Sequence, residues 1–318
     1  MEGIVRHRYI WFAISLIIII PGLVFLLLYG LRTGIDFAGG ALWDVQFLER
    51  PASELNTDAI ARVFEQQGYR DVRVQLSEAT VNGKTLPLAV VRTSVVQNPE
   101  TEQPKMQQAL QQQFGNVQFE QVQSVGATVS SESTRSAVIA VLGASVAILL
   151  YLTLAFRRAP HPVRYGVCAI LAMLHDVLVV IGVAAILGVV TGLEIDAYFL
   201  TALLTIISFS VHDTIVVFDR VRENLIARRS GESFEDIVNH SIVQTLPRSI
   251  NTQLTSLFTL TALLLFGGET IFNFVLILLI GLISGTYSSI FNAAQLLVVW
   301  ENREWQRWFR RGEAPATA

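Results

Sequence analysis

Long apolar runs separated by polar stretches set the pattern of this chain. Six of them approach or exceed the roughly 20 helical residues that span a hydrocarbon core: Tyr9–Tyr29, Ala137–Phe156, Val163–Val190, Ala197–Phe218, Ile250–Phe266 and Ile271–Trp300. Between the first and second lies a polar insertion, Asp36 to about Arg135, where the period changes. Ala41–Leu48 alternates as a strand does, whereas Leu55, Ile60, Val63 and Phe64 recur at helical period within Ser53–Gln67, with Gly68 as the stop. Asp71–Leu76 and Leu86–Val96 predict strands on either side of the turn signal Asn82-Gly83. Pro104–Phe114 predicts a glutamine-rich helix and Val117–Val125 a last strand. The order β-α-β-β-α-β predicts a ferredoxin-like arrangement. The expected fold class is therefore a mostly α-helical polytopic membrane protein. It has six transmembrane helices, with an α+β ferredoxin-like extracytoplasmic domain inserted between helices one and two.

The domain bounds that follow are residues 1–33 for the N-terminus and first helix, and 34–135 for the outer domain. Residues 136–300 form a five-helix membrane domain with a cytoplasmic loop at 219–246, and 301–318 form the tail. Composition fits: 52% of the 318 residues are hydrophobic and 15% charged, which excludes a wholly soluble chain. A net charge of −3 without a polybasic tract gives no footprint for nucleic acid. The single cysteine, Cys168, excludes an intrachain disulfide framework and a multi-cysteine metal site. The first segment ends in Leu28-Tyr29-Gly30-Leu31-Arg32 rather than at a small-residue cleavage site, so it is expected to be a retained anchor, kinked at Pro21-Gly22.

Arginine placement predicts the orientation. Arg6 and Arg8, Arg157, Arg158 and Arg164, Arg220, Arg222, Arg228 and Arg229, and Arg303, Arg307, Arg310 and Arg311 all fall on one side. The opposing loops, Gly192–Asp196 and Gly267–Glu269, carry no lysine or arginine. Both termini are expected in the cytoplasm and the insertion outside.

The candidate chemistry lies in the apolar segments. His212 and Asp213 sit inside segment four, about six residues and roughly 9 Å of helix rise from the charged run that starts at Asp219. An ionised aspartate near a bilayer centre costs about 2.5–3.5 kcal/mol on insertion scales, so it faces protein or a water-lined interior and marks a proton or ion path. The competing interpretation is an aspartate held by serine or threonine hydroxyls of neighbouring helices. Arg248 follows Pro247 and, with Asn251, Thr252 and Thr255, forms a polar stripe at helical spacing; it is expected to reach inward and gate Asp213, against the alternative of snorkelling to the surface. His175 and Asp176 place a second acid in segment three, either relaying protons or pairing with a neighbour. These four residues lack the convergent spacing of a closed zinc site, and nothing requires the shared-proton dyad of an aspartyl protease. Ala137, Ala140, Ala144 and Ala147, and separately Gly281, Gly285 and Ser289, form small-residue stripes suited to close helix packing. Phe234, Ile237, Val238, Ile242 and Leu246 predict an amphipathic segment along the inner face.

Three motifs carry a resemblance. They are Gly34-Ile35-Asp36-Phe37-Ala38-Gly39-Gly40, the run Val211-His212-Asp213-Thr214-Ile215-Val216-Val217-Phe218-Asp219-Arg220-Val221-Arg222-Glu223-Asn224, and Gly285-Thr286-Tyr287-Ser288-Ser289-Ile290. With the six-segment plan, the chain resembles the SecF family of bacterial protein-export subunits. The resemblance implies a non-enzymatic subunit that pairs with SecD in a pseudo-symmetric membrane domain related to resistance-nodulation-division transporters. It implies work beside the SecYEG translocon, with YajC as a further candidate partner, on unfolded secretory polypeptides at the cytoplasmic membrane. The proton, or sodium in some relatives, is the coupling ion, and no cofactor is implied. The family's functional aspartate falls on Asp213 and its membrane arginine on Arg248, while His212 stands where a neutral polar residue is expected. The alternatives are half of a small-molecule or lipid exporter, or a passive translocon scaffold.

Overall fold

The structure, a computed structural model, describes residues 3–304 and 306 apart from 82, 83, 97, 158, 159 and 229. The turn at Asn82-Gly83, Arg158, Arg229, Arg307, Arg310 and Arg311 lie outside the described residues. The chain divides into two compact units, one of Met1–Arg32 with Ile139–Ala318 and one of Thr33–Val138.

In the smaller unit a short helix α2 (Ile35–Ala38) leads into β1 (Gly40–Phe47). Gly39 and Gly40 make the turn with φ of 74° and 123°. A Cβ on Gly40 would lie 2.7 Å from the Thr93 carbonyl oxygen, so only glycine fits there. Next come α3 (Thr57–Gln66), β2 (Arg73–Val81), β3 (Lys84–Thr93), α4 (Pro99–Phe114) and β4 (Val117–Val125). The sheet order is β2-β3-β1-β4 with every neighbouring pair antiparallel, as the ferredoxin-like order requires. α3 starts at Thr57 rather than Ser53 because the Asn56 side chain accepts from the Asp58 and Ala59 amides and caps it. α4 starts five residues before Pro104, with Pro99 in its first turn. One sheet face buries Ala41, Trp43, Val45 and Phe47 against Ile60, Phe64, Met106 and Leu110 of the two helices. The Trp43 indole N–H is satisfied by Thr93 Oγ1 at 2.9 Å.

Among the described residues six helices are long and apolar enough to cross a membrane. They are α1 (Arg8–Tyr29), α5 (Ala127–Ala155), α6 (Pro162–Val190), α7 (Ala197–Ile226), α8 (Phe234–Phe266) and a last composite helix. That last one consists of α9 (Glu269–Ser288), a π turn (Ser289–Ala293) and α10 (Ala294–Glu301). Half the residues in the apolar stretches of α6, α7 and α9–α10 are buried, whereas few of those in α1, α5 and α8 are, so the first three form the centre.

Two expectations are corrected here. The loop expected over 219–246 does not begin at Asp219: α7 carries the charged run on to Ile226, with Arg222–Asp219 and Arg220–Glu223 pairs at 2.8 and 2.9 Å along its surface. Nor do 234–246 form a separate inner-face segment. A capping box between Ser233 and Asp236 starts α8 at Phe234, and the helix runs through Pro247 to Phe266. Pro247 has no amide to donate to the fourth residue back, and the helix tolerates that loss. The connection between α7 and α8 is therefore only residues 227–233.

Two contacts fix the outer helices. Gly22 of α1 meets Gly182 of α6 so closely that a Cβ on Gly22 would lie 2.6 Å from Gly182 Cα. At the arginine-rich end, Arg8 donates to Glu304 at 2.6 Å and Glu235 at 2.8 Å, and Tyr9 donates to Glu304 at 2.7 Å. Burial pushes the Glu304 carboxyl up, but hydrogen bonds from Arg8, Tyr9 and Asn302 outweigh it and hold the group below its ordinary range.

Candidate functional site: two carboxyls held by serines

Two aspartates are buried in the helical unit. Asp213 on α7 is 6% exposed. Its Oδ1 accepts from Ser249 Oγ of α8 at 2.7 Å, and its Oδ2 accepts from Ser289 Oγ at the start of the π turn at 2.9 Å. Asp176 on α6 is 0% exposed. Its Oδ2 accepts from Ser210 of α7 and Ser288 of α9, both at 2.6 Å, and its Oδ1 accepts from Ser284 of α9 at 2.7 Å. His175 Nδ1 lies 3.0 Å from the same Oδ1.

Small residues put these hydroxyls in place. A Cβ on Gly281 would strike the Ile206 side chain at 2.2 Å, and one on Gly285 would meet Ser210 Cβ at 3.2 Å. The stripe Gly281, Gly285, Ser289 thus lets α9 approach α7 closely, and its third member reaches Asp213. Adjacent residues on a helix point about 100° apart. Ser288 and Ser289 accordingly address different neighbours, the first Asp176 on α6 and the second Asp213 on α7. The alanine stripe of α5 is only partly a packing face, since Ala147 is exposed.

The remaining candidates separate. His212 and Arg248 are each one residue before a member of the Asp213 pair, and both are exposed. Neither makes a hydrogen bond or ion pair with a described residue in this chain. The carboxyl is met by Ser249 and Ser289, the hydroxyl-held arrangement given above as the competing interpretation, and not by Arg248. Of the polar stripe on α8, Arg248, Asn251, Thr252 and Thr255 are all exposed, while Gln253, one turn from Ser249, is buried with its Oε1 unpartnered. Asp36, Gly39 and Gly40 belong to the smaller unit and shape its first turn. Among the described residues no group of three or more histidine, cysteine or acidic side chains is arranged to hold a metal ion. Cys168 is buried and free.

Hydroxyl partners give Asp213 a specific chemical latitude. A serine can donate to a carboxylate or accept from a carboxylic acid. Ser289 Oγ also lies 2.6 Å from the Gly285 carbonyl oxygen. When Asp213 is ionised, Ser289 donates to it; when Asp213 carries a proton, it can donate to Ser289, which turns its own proton to Gly285. The site can hold either form without leaving a polar group unpaired.

Fold and site together define a class: a polytopic membrane protein that buries carboxyls between its central helices and carries an α+β domain after its first span. Comparison with known proteins narrows it. A family model described as protein export membrane protein SecD/SecF, C-terminal, matches residues 105–303. The chain is 52% identical over 321 aligned residues to protein translocase subunit SecF of Thermobaculum terrenum, covering 100% of both. It is 46% identical to that of Anaerolinea thermophila, again covering 100% of both. The crystal structure of SecDF from Thermus thermophilus aligns with a TM-score of 0.78 at 30% identity, covering 95% of this chain and 39% of that one. The chain thus spans the whole length of these SecF relatives and about two fifths of SecDF. It belongs to the SecF family of protein translocase subunits.

Proposed function

We propose that this chain is the proton-coupled partner of a SecD protein and promotes export of unfolded polypeptides through the SecYEG translocon, with YajC as a further associate. The observation that carries the proposal is Asp213, buried among membrane helices and held by Ser249 and Ser289, partners that suit both its ionised and its protonated forms. Each proton falling through 100 mV releases about 2.3 kcal/mol. That energy biases a rearrangement if the two forms of Asp213 favour different packings of α7, α8 and α9. The proton is the coupling ion, and no cofactor or enzymatic step is required.

The SecD partnership is supported by an exposed polar face. Ser208 and His212 on α7, with Arg248, Asn251 and Thr252 on α8, would meet hydrocarbon if this chain stood alone, and polar groups at that depth are costly. In SecDF the part that aligns with this chain is 39% of a longer polypeptide. A SecD partner would cover the face, and Arg248 would then act on Asp213 from the joint between the two proteins. The protein lies in the cytoplasmic membrane with both termini inside, as the arginine distribution supports.

The test is export into inverted membrane vesicles that depend on this copy, with and without a proton gradient. Asp213→Asn should abolish the gradient-dependent increment and leave gradient-independent export intact; an unchanged increment would refute the proton role. Affinity purification should recover SecD and SecYEG. Recovery of neither would favour a small-molecule or lipid half-exporter.

A further inference from the structure

We propose that His175 and Asp176 form a second proton-binding site, in which His175 Nε2 takes the proton and Asp176 stays ionised beside it. This rests on the proton-coupled reading above and extends it to a group with no role there. Four donors converge on the Asp176 carboxylate: Ser210 and Ser288 on Oδ2, Ser284 and His175 Nδ1 on Oδ1. A carboxylate offers about four lone-pair sites, so this set fills the ionised form and leaves no place for a proton on it.

With Nδ1–H donating, Nε2 of the neutral ring bears a lone pair. Nε2 is buried and has no hydrogen-bond partner among the described residues, and the His175 side chain is 9% exposed. The opposite tautomer would bury an orphan N–H, which folded proteins tolerate less well than an under-used acceptor. Nε2 is therefore an open base in the membrane core. Adding a proton there breaks no existing hydrogen bond and makes an imidazolium against a carboxylate already in contact with it; that ion pair offsets the cost of the new Nε2–H, which has no partner among the described residues. Among the described residues Tyr287 packs its ring against that of His175, with centroids 6.0 Å apart, and its hydroxyl is committed to the Trp11 carbonyl at 2.6 Å. α7 brings Ser210 to the pair and α9 brings Ser284 and Ser288; neither brings a charge into hydrogen-bonding contact with it.

The second site is joined to the first. The Gly285 carbonyl accepts the Ser289 amide, which leaves one lone pair. Two hydroxyls lie within reach of it, Ser289 Oγ at 2.6 Å and Ser288 Oγ at 3.2 Å. Protonated Asp213 turns Ser289 onto Gly285 and commits Ser288 to Asp176. Ionised Asp213 draws Ser289 away and frees the carbonyl for Ser288, which weakens the set that holds Asp176.

The experiment is nitrogen NMR of the full chain, labelled with ¹⁵N at histidine, in lipid nanodiscs between about pH 9 and pH 5, the range histidine samples. His175→Gln assigns the signal. In the wild type, His175 should start as the Nδ1–H tautomer, and its second nitrogen should become protonated as the pH falls. Asp213→Asn should move that midpoint by roughly half a unit or more, a threefold change in proton affinity. An Nε2–H tautomer, a ring silent across the range, or a signal that answers to added sodium instead of pH would each overturn the proposal. So would a midpoint untouched by Asp213→Asn, which would break the link between the sites. The measurement reads the imidazole and not export, so failure here leaves the Asp213 test standing, and the reverse holds too.

Discussion

Ser249 and Arg248 are neighbours on α8, and alanine at each should give opposite results. Ser249 is 2% exposed and its hydroxyl donates to Asp213 Oδ1 at 2.7 Å. A hydrogen bond to a charged group contributes about 1.5–3 kcal/mol and one between neutral groups about 0.5–1.5. Ser249→Ala should therefore destabilise the chain by about 1.5–3 kcal/mol while Asp213 is ionised, and by about half as much once it is protonated. Ser289 cannot make up the loss, because it already holds the other oxygen at 2.9 Å. On the scale of roughly 2–4 °C per kcal/mol for large domains, the melting midpoint should fall by several degrees, and by less in an Asp213→Asn background where the carboxylate is gone. Arg248 is exposed and bonded to no described residue, so Arg248→Ala should stay within about 0.5 kcal/mol of wild type in the isolated chain. Its effect should appear only in gradient-driven export with SecD present. The assay is thermal unfolding of both variants in nanodiscs, with aspartate and with asparagine at position 213, followed by export. If Arg248→Ala lowered the midpoint of the isolated chain as far as Ser249→Ala, the arginine would be the carboxyl's partner within this chain and the serine account would fail. A Ser249→Ala loss of equal size in both backgrounds would remove the link to the charge on Asp213.

Other perturbations test the frame around the site. Gly22→Ala places a Cβ 2.6 Å from Gly182 Cα, a backbone atom that cannot rotate away, so α1 must separate from α6 at a cost of about 1–3 kcal/mol, read as a lowered melting midpoint. The lowered Glu304 carboxyl stabilises the fold above the ordinary carboxylate value and loses that contribution as pH falls through its lowered one. Glu304→Gln should therefore be less stable than wild type at neutral pH and show a flatter acid limb in pH-dependent melting. Asp44 in β1 has the opposite sign: burial, and then Glu120, push its carboxyl up. Its protonated form is favoured by the fold, and that contribution is lost as pH rises through the raised value. Asp44→Asn should slow amide exchange in β1 and β4 at neutral pH relative to wild type.

Much of this was legible from the sequence, because burial in a bilayer and alternation in a sheet leave long, regular traces. The sheet order follows from a strand-helix pattern that has few right-handed solutions. The spacing of Gly281, Gly285 and Ser289 announced a close contact, which the structure finds between α9 and α7. The partner of Asp213 was less legible. A charged residue attracts attention as a counter-ion, but whether it faces inward depends on the rotation of its helix about its axis. Arg248 and Ser249 differ by about 100° of rotation. An apolar segment that begins at Ile250 leaves the phase of α8 unanchored, whereas in the structure the cap at Ser233 sets it seventeen residues earlier. The set around Asp176 was hidden for another reason. Ser210, Ser284 and Ser288 come from two helices, and serine is common enough that no one of them marks a site. The adjacent pair Ser288-Ser289 inside an apolar segment was the available signal.

That pair also explains why the last span is composite. Ser288 closes α9, Ser289 opens the π turn, and each holds a different carboxyl. A π turn carries one residue more than an α-helix of the same rise, so removing it would rotate α9 against α10 by roughly 100°. Such a rotation would take both hydroxyls off their aspartates together. α10 is held at its far end by the chain that follows it, where Glu304 binds Arg8 at 2.6 Å and Tyr9 at 2.7 Å. α9 is held by Gly281 and Gly285 against α7. With both sides fixed, a change of charge at Asp213 would act on the turn between them, and through Ser288 on the set that holds Asp176. The serines are thus more than neutral filler for buried acids: they make the two carboxyls answerable to the same piece of backbone.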